Sequence, residues 1–139
     1  MRGGRVAPFS SRGEMARWVH VVNASRGGVE LARALWCASF ACRLRGLMFQ
    51  PPPEKGHGLL LVEGRESRAG TSIHMAFVGF PIGVAWLDGA RRVVDFRVAR
   101  PWRAYMPRLP ARYVLEGGVD LLEGVALGDV LEFVDASMA

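Results

Sequence analysis

The tripeptide Asp88-Gly89-Ala90 lies between two apolar runs, Ile82 to Leu87 and Arg92 to Val98. Asp-Gly readily supplies the positive φ angles of a tight reversal, so the pair predicts an antiparallel hairpin. The same grammar recurs near the start of the chain. Trp18 to Asn23 is a short β-branched run, closed by the turn signal Ser25-Arg26-Gly27-Gly28. From Val29 to Cys37 the sequence alternates, placing Val29, Leu31, Arg33, Leu35 and Cys37 on one side and Glu30, Ala32, Ala34 and Trp36 on the other. Two runs joined by a glycine turn predict a second hairpin. Arg112 to Glu116 and Val130 to Val134 read as further strands, with a short helical turn near Asp120 to Glu123 between them.

One segment reads as a helix, Ser39 to Leu47. Ser39 is a suitable N-cap, Phe40, Leu44 and Leu47 share a helical face, and Gly46 permits a left-handed exit. Pro51-Pro52-Pro53 then forces an extended loop, because proline fixes φ and lacks the donor that a helix or central strand requires. Gly58 to Val62 is a short apolar run, and Gly64 to Gly70 reads as a polar loop. Many short strands with one or two small helices predict a mainly β protein, an antiparallel β-sandwich or barrel.

Composition narrows the function classes. The 139 residues suffice for one domain with its own core. The expected division is a flexible basic arm over residues 1–14 and a single domain over 15–139, with Met15 offering a second possible start. The arm has no apolar stretch of secretory type, which predicts a cytoplasmic protein. The longest uncharged run, Ala69 to Leu87, holds nineteen residues, but Thr71, Ser72, His74, three glycines and Pro81 make it strands, not a membrane span. Cys37 and Cys42 are expected to be reduced, buried thiols, since two cysteines make no disulfide framework and no zinc-type spacing. No motif predicts a cofactor, and the scattered Met48, Met75 and Met106 read as core or rim fillers rather than copper ligands.

Three motifs, in order, carry a resemblance. The first is Arg43-Leu44-Arg45-Gly46-Leu47-Met48-Phe49, the second runs from Ile73-His74 through Phe80-Pro81-Ile82 to Leu87-Asp88. The third combines Arg100-Pro101-Trp102-Arg103, Val114-Leu115-Glu116 and the closing Gly124, Gly128, Asp129 and Val130. Over roughly residues 17–135 the chain resembles the domain of unknown function 192 family, also called uncharacterised protein family 0127, in its bacterial variant. That resemblance implies a compact β-sandwich of jelly-roll-like topology and no established activity; many of the relatives look exported. Where the family motif reads Pro-Ile-Asp, this chain has Pro81-Ile82-Gly83. The missing carboxylate marks either a divergent ligand site or a turn that glycine reproduces.

Among chemical candidates His74 stands out. An imidazole at a strand start can be a general base, a metal ligand or a core group bonded to backbone. A metal site would require His20, His57 and His74 to converge from separate elements. The segment Arg100-Pro101-Trp102-Arg103-Ala104-Tyr105 offers stacking faces and bidentate donors for an anionic or sugar-like ligand, or it is a plug over a sheet end. The candidate ligand-binding residues are therefore His74, Arg100, Trp102, Arg103 and Tyr105, with no metal-binding residues. The expected function is a non-catalytic binding or accessory module for a small ligand or a protein partner. The alternative is a hydrolase-like enzyme with His74 as base and a carboxylate from the Glu63–Glu66 loop.

Nucleic acid ranks third as a partner, despite a net charge of +5. Residues 89–112 carry seven Arg and one Asp, whereas residues 113–139 carry six acidic residues and no Lys or Arg. Sequential strands of opposite charge are expected to neutralise each other within the fold.

Overall fold

The computed structural model describes residues 16–136; the expected N-terminal arm and Met15 lie outside the described residues. Nine strands occur: β1 (Trp18–Asn23), β2 (Val29–Cys37), β3 (His57–Ser67), β4 (Ile73–His74), β5 (Ile82–Leu87), β6 (Val93–Ala99), β7 (Ala104–Tyr105), β8 (Ala111–Gly117) and β9 (Leu131–Asp135). One helix, α1 (Phe40–Arg45), and two 3-10 turns, Ala24–Arg26 and Val119–Gly124, complete the elements. Seven strands form one sheet in the order β6-β5-β8-β3-β2-β1-β9, while β4 and β7 form a separate two-stranded ribbon. The protein is mainly β, and the large sheet curls into a half-barrel.

Both predicted hairpins form. β1 pairs antiparallel with β2, and β5 with β6. The alternation expected along β2 holds only in part. Val21 faces Ala32 while Val22 faces Glu30, so Leu31 is an extra residue in a bulge. A bulge exchanges the faces of the residues before and after it. Leu31 accordingly packs on one side of the sheet with Ala34, and Leu35 and Cys37 on the other.

One pair, β2 with β3, is parallel. The chain between them, carrying α1 and the three prolines, crosses back over the sheet before β3 begins, as a parallel connection requires. Ser39 caps α1 as expected, its hydroxyl accepting from the Cys42 N–H at 3.1 Å, and Gly46 follows the helix at φ +49°. The expected apolar face of the helix does not face inward. Phe40 and Leu44 are exposed, Cys42 packs on the outer core, and Leu47 is buried only past the helix end.

The orientation of α1 has a covalent cause. Cys37, the last residue of β2, and Cys42 are joined in a disulfide with Cα atoms 5.6 Å apart. This corrects the expectation of two reduced thiols. The turn through Ala38 and Ser39 folds the helix back over the strand end, and the bond fixes the Cys42 side of α1 against the sheet.

The two sheet faces bury separate cores. Val21, Leu60, Leu87, Leu115 and Leu131 fill the concave side. Tyr113 of β8 and Phe133 of β9, far apart in the strand order, meet there edge to face at 5.1 Å. Leu59, Leu61, Val84, Trp86 and Val114 line the convex side, under α1 and the β4–β7 ribbon. β5 is buried at all six positions because it is covered on both faces, which explains its unbroken apolar sequence. The curl brings the two edge strands together at one corner: Arg92 bridges Val130, and Val93 N–H donates to Asp129 O at 2.8 Å.

Candidate functional site

The covering layer on the convex face brings the sequence candidates together. β4 and β7 pair antiparallel, with Ile73 opposite Tyr105 and His74 opposite Ala104, so His74 and the 100–105 segment share one ribbon. The ribbon is tied to its loops by backbone bonds. Met75 N–H donates to Arg103 O at 2.6 Å and Trp102 N–H to Met75 O at 2.9 Å.

His74 is exposed rather than enclosed in the core. The Ala76 N–H donates to Nδ1 at 3.3 Å, which leaves the ring hydrogen on Nε2, 3.2 Å from the Leu44 carbonyl of α1. The imidazole thus joins the ribbon to the helix. The carboxylates of the 63–66 segment lie elsewhere in the bonding scheme, and that segment is strand, not loop. Glu63 pairs with Arg43 at 2.6 Å, and Glu66 accepts the Gly89 N–H of the β5–β6 turn at 2.6 Å. His20 and His57 lie beside Glu30 and Glu54 respectively.

Tyr105 packs against the outer core, and its hydroxyl accepts the Arg100 N–H at 2.9 Å, with the Arg97 guanidinium 5.5 Å from its ring. It positions the loop that carries Trp102. Arg100 is exposed, as is Arg103.

Trp102 ends a row of rings that the sequence does not announce. Its ring meets Phe77 at 4.9 Å, and Phe77 stacks on Phe49 at 4.6 Å. All three are largely exposed, at 65%, 48% and 70%. All three also adopt left-handed backbone, with φ of +64°, +61° and +60°. Bulky side chains avoid that region, at a cost of about 1–3 kcal/mol per residue. The Phe49 N–H donating to Phe77 O at 2.9 Å helps to hold the arrangement.

Beneath the layer lies a small cavity of about 40 Å³, bounded by α1, β4 and the sheet; His74, Gly46, Ser72 and Glu116 are among its lining residues. Glu116 is opposite Leu59 on β3 and Val84 on β5 and only 5% exposed. Burial pushes its pKa up to about 7, because an ionised carboxylate is poorly solvated there. Glu116 stands in the third motif but not among the candidate ligand-binding residues, although period-two alternation from Val114 places the two on the same face.

Gly83, where the resemblance implies a carboxylate, is not among the residues lining this cavity. A Cβ there would lie 2.7 Å from Gly118 O and 3.1 Å from Leu122 Cγ. Glycine is what lets the chain after β8 pack so close to β5. A second, larger cleft of about 280 Å³ lies at the other end of β2 and β3, beside His57, Lys55, Asp120 and Gly117.

Asp95 of the basic segment lies 4.0 Å from Arg108, and Asp129 of the acidic segment pairs with Arg26 at 2.9 Å. Several arginines lie over aromatic rings, among them Arg17 on Trp36 at 3.9 Å, Arg33 on Trp18 at 4.5 Å and Arg112 on Tyr113 at 5.2 Å. Among the described residues no helix is long and apolar enough to cross a membrane.

Comparison with known proteins gives a consistent picture. Residues 21–133 match the model of a family described as DUF192, Uncharacterized ACR, COG1430. A UPF0127 protein of Thermococcus gammatolerans is 41% identical over 115 residues, covering 81% of this chain and 74% of the relative. One from Pyrococcus furiosus is 34% identical over 115 residues, covering 81% and 97%. A solved structure from Sinorhizobium meliloti, named provisionally as a transcription regulator, superposes with a TM-score of 0.74 at 21% identity, covering 92% of this chain and 99% of that one. At that identity the likeness concerns the fold. The two curated relatives are archaeal, so the bacterial character expected from the second motif finds no support in them.

Proposed function

The chain belongs to the DUF192 family, and from that premise we propose that this member is a binding module whose ligand lies across the exposed layer formed by α1, the β4–β7 ribbon and the 100–105 loop. The observation that carries the reading is the row Phe49, Phe77 and Trp102: three exposed aromatic rings, the middle one in contact with both others, each on a strained backbone. Strain of that kind concentrates at ligand-contacting positions. The rings offer flat apolar faces, while Arg100 and Arg103 beside them offer forked donors suited to a carboxylate or phosphate. The ligand class is accordingly a small anionic molecule with a ring or sugar-like face. The reading calls for no cofactor and no nucleic acid. A cytoplasmic location belongs to it as well, with the Cys37–Cys42 bond shielded from reducing thiols by the burial of Cys37.

Titration with a panel of hexose phosphates and uronic acids, followed by tryptophan fluorescence, tests the reading. At least one compound should give a saturable signal that the double variant Trp102→Ala, Arg103→Ala loses while keeping its circular dichroism spectrum. No saturable signal across the panel, or an equal one in the variant, overturns it.

A second reading, a small hydrolase with His74 as general base, is favoured by the cavity that His74 and Glu116 share. It requires turnover of simple p-nitrophenyl esters that His74→Ala abolishes, and absence of turnover removes it.

A further inference from the structure

The covering layer combines a single sign of charge with protruding apolar rings. Its three segments, residues 39–53, 69–81 and 100–110, hold five arginines, Arg43, Arg45, Arg100, Arg103 and Arg108, and no Asp or Glu. Two of these arginines meet carboxylates of the large sheet, Arg43 with Glu63 at 2.6 Å and Arg108 with Asp95 at 4.0 Å. Arg100 and Arg103 are exposed and stand on either side of Trp102 in the chain. The layer is therefore positive where the row of rings ends.

The rings project instead of enclosing a space. Phe49, Phe77 and Trp102 are 70%, 48% and 65% exposed, and none of them lines the cavity of about 40 Å³ or the cleft of about 280 Å³. α1 adds Phe40 and Leu44, four residues apart and also exposed. Large apolar side chains gathered on one exposed layer mark a protein or membrane contact. Three projecting rings give little enclosure to a free solute. A bilayer interface needs no pocket: it receives aromatic rings between its headgroups and acyl chains, and its anionic phosphates attract the arginines beside them. Tryptophan suits that zone because its indole joins an apolar body to one N–H donor.

We infer that this layer docks peripherally on an anionic membrane surface. Phe49, Phe77 and Trp102 enter the boundary between headgroups and acyl chains, and Arg100 and Arg103 bind lipid phosphates. The inference rests on the reading of the layer as the ligand surface, and it places the anionic ligand in a lipid headgroup. It requires no membrane-crossing helix, and the described residues contain none.

Flotation with vesicles of phosphatidylglycerol in phosphatidylcholine, about one part in three anionic, tests it. The protein should float with these vesicles and not with pure phosphatidylcholine, and it should detach as salt is raised. Lipid with brominated chains should quench the fluorescence of bound wild type and leave that of bound Trp102→Phe largely unchanged. Phe49→Asn with Phe77→Asn should weaken binding about tenfold or more and keep the melting temperature, because asparagine accepts positive φ more readily than phenylalanine. Arg100→Gln with Arg103→Gln should weaken it about 30-fold, since each arginine near the surface counts for about fivefold. Arg17→Gln with Arg91→Gln removes the same charge from the concave face and should weaken binding far less. An equal loss there means adsorption by net charge alone and overturns the proposal, as does failure to float. A saturable response to hexose phosphates without vesicle binding overturns this inference and leaves the small-ligand reading in place. A dimer that vesicles do not dissociate and that Phe49→Asn with Phe77→Asn abolishes means that a second copy covers the row, and overturns it as well.

Discussion

Replacing Glu116 with glutamine should make the protein more stable above neutral pH and leave it nearly unchanged in mild acid. Burial raises the Glu116 pKa from its ordinary 4.5 to about 7. Below pH 4.5 the carboxyl is protonated in both folded and unfolded chains, and the variant gains nothing. Between pH 4.5 and 7 the unfolded chain has lost that proton and the folded one keeps it, so folded wild type loses stability with rising pH. The slope is about 1.4 kcal/mol per pH unit. Across the window the loss reaches about 3 kcal/mol, and above pH 7 it stays constant. Glutamine has nearly the same shape and no charge, so its stability skips this decline. Asp129 titrates in the opposite sense: hydrogen bonds from Asn23 and Arg26 lower its pKa, and the stability it contributes is lost as pH falls through that lowered value. Both proteins share this contribution, so it cancels in their difference. Urea denaturation of wild type and Glu116→Gln at half-unit steps from pH 4.5 to 8.5 measures that difference directly. It should open from near zero to about 3 kcal/mol in favour of the variant. Two parallel stability curves would refute the reasoning, because they would mean that Glu116 is solvated or paired in the folded protein.

Three further outcomes rest on other parts of the fold. Reducing the Cys37–Cys42 bond should cost about 2 kcal/mol by loop-closure entropy for so short a loop, read as a lower urea midpoint in dithiothreitol that the Cys37→Ser, Cys42→Ser variant reproduces without reductant. Asp129→Ala should cost about 1–3 kcal/mol at pH 7, since its carboxylate accepts from buried Asn23 at 2.8 Å and from Ala126 N–H at 3.0 Å; the difference from wild type should shrink in acid titrations below pH 4. Gly83→Asp should destabilise the chain by about 1–3 kcal/mol through overpacking, because its Cβ would meet Gly118 O at 2.7 Å; an unchanged thermal midpoint would contradict the close approach.

Much of the sheet is legible in the sequence because turns are local. Gly27-Gly28 turns its hairpin through two positive φ angles, whereas in the second hairpin the left-handed residue is Arg91 at φ +65° and Asp88 contributes its carboxylate, accepting the Ala90 and Arg92 N–H groups. The parallel union of β2 and β3 is not legible, since it depends on where the chain lands after α1 and the prolines. The direction of α1 is hidden for a related reason: Phe40, Leu44 and Leu47 look like an inward face, but the Cys42 bond turns the helix otherwise. At the candidate site, His74 and the 100–105 segment carry signals of their own. Their shared ribbon, the rings of Phe49 and Phe77, and the burial of Glu116 are products of tertiary packing. A single glutamate in a strand looks ordinary until both neighbouring strands prove apolar.

The meeting of β9 with β1 has a consequence for the order in which the protein is made. β1 is synthesised early, yet one of its edges is covered only by β9, where Val21 pairs with Phe133. Until the ribosome has delivered those last residues, β1 presents a row of unsatisfied backbone groups, the feature by which nascent chains pair wrongly with one another. Ribosome-bound chains stalled before residue 131 should therefore show rapid amide exchange on that edge and a demand for chaperones that the released protein does not have.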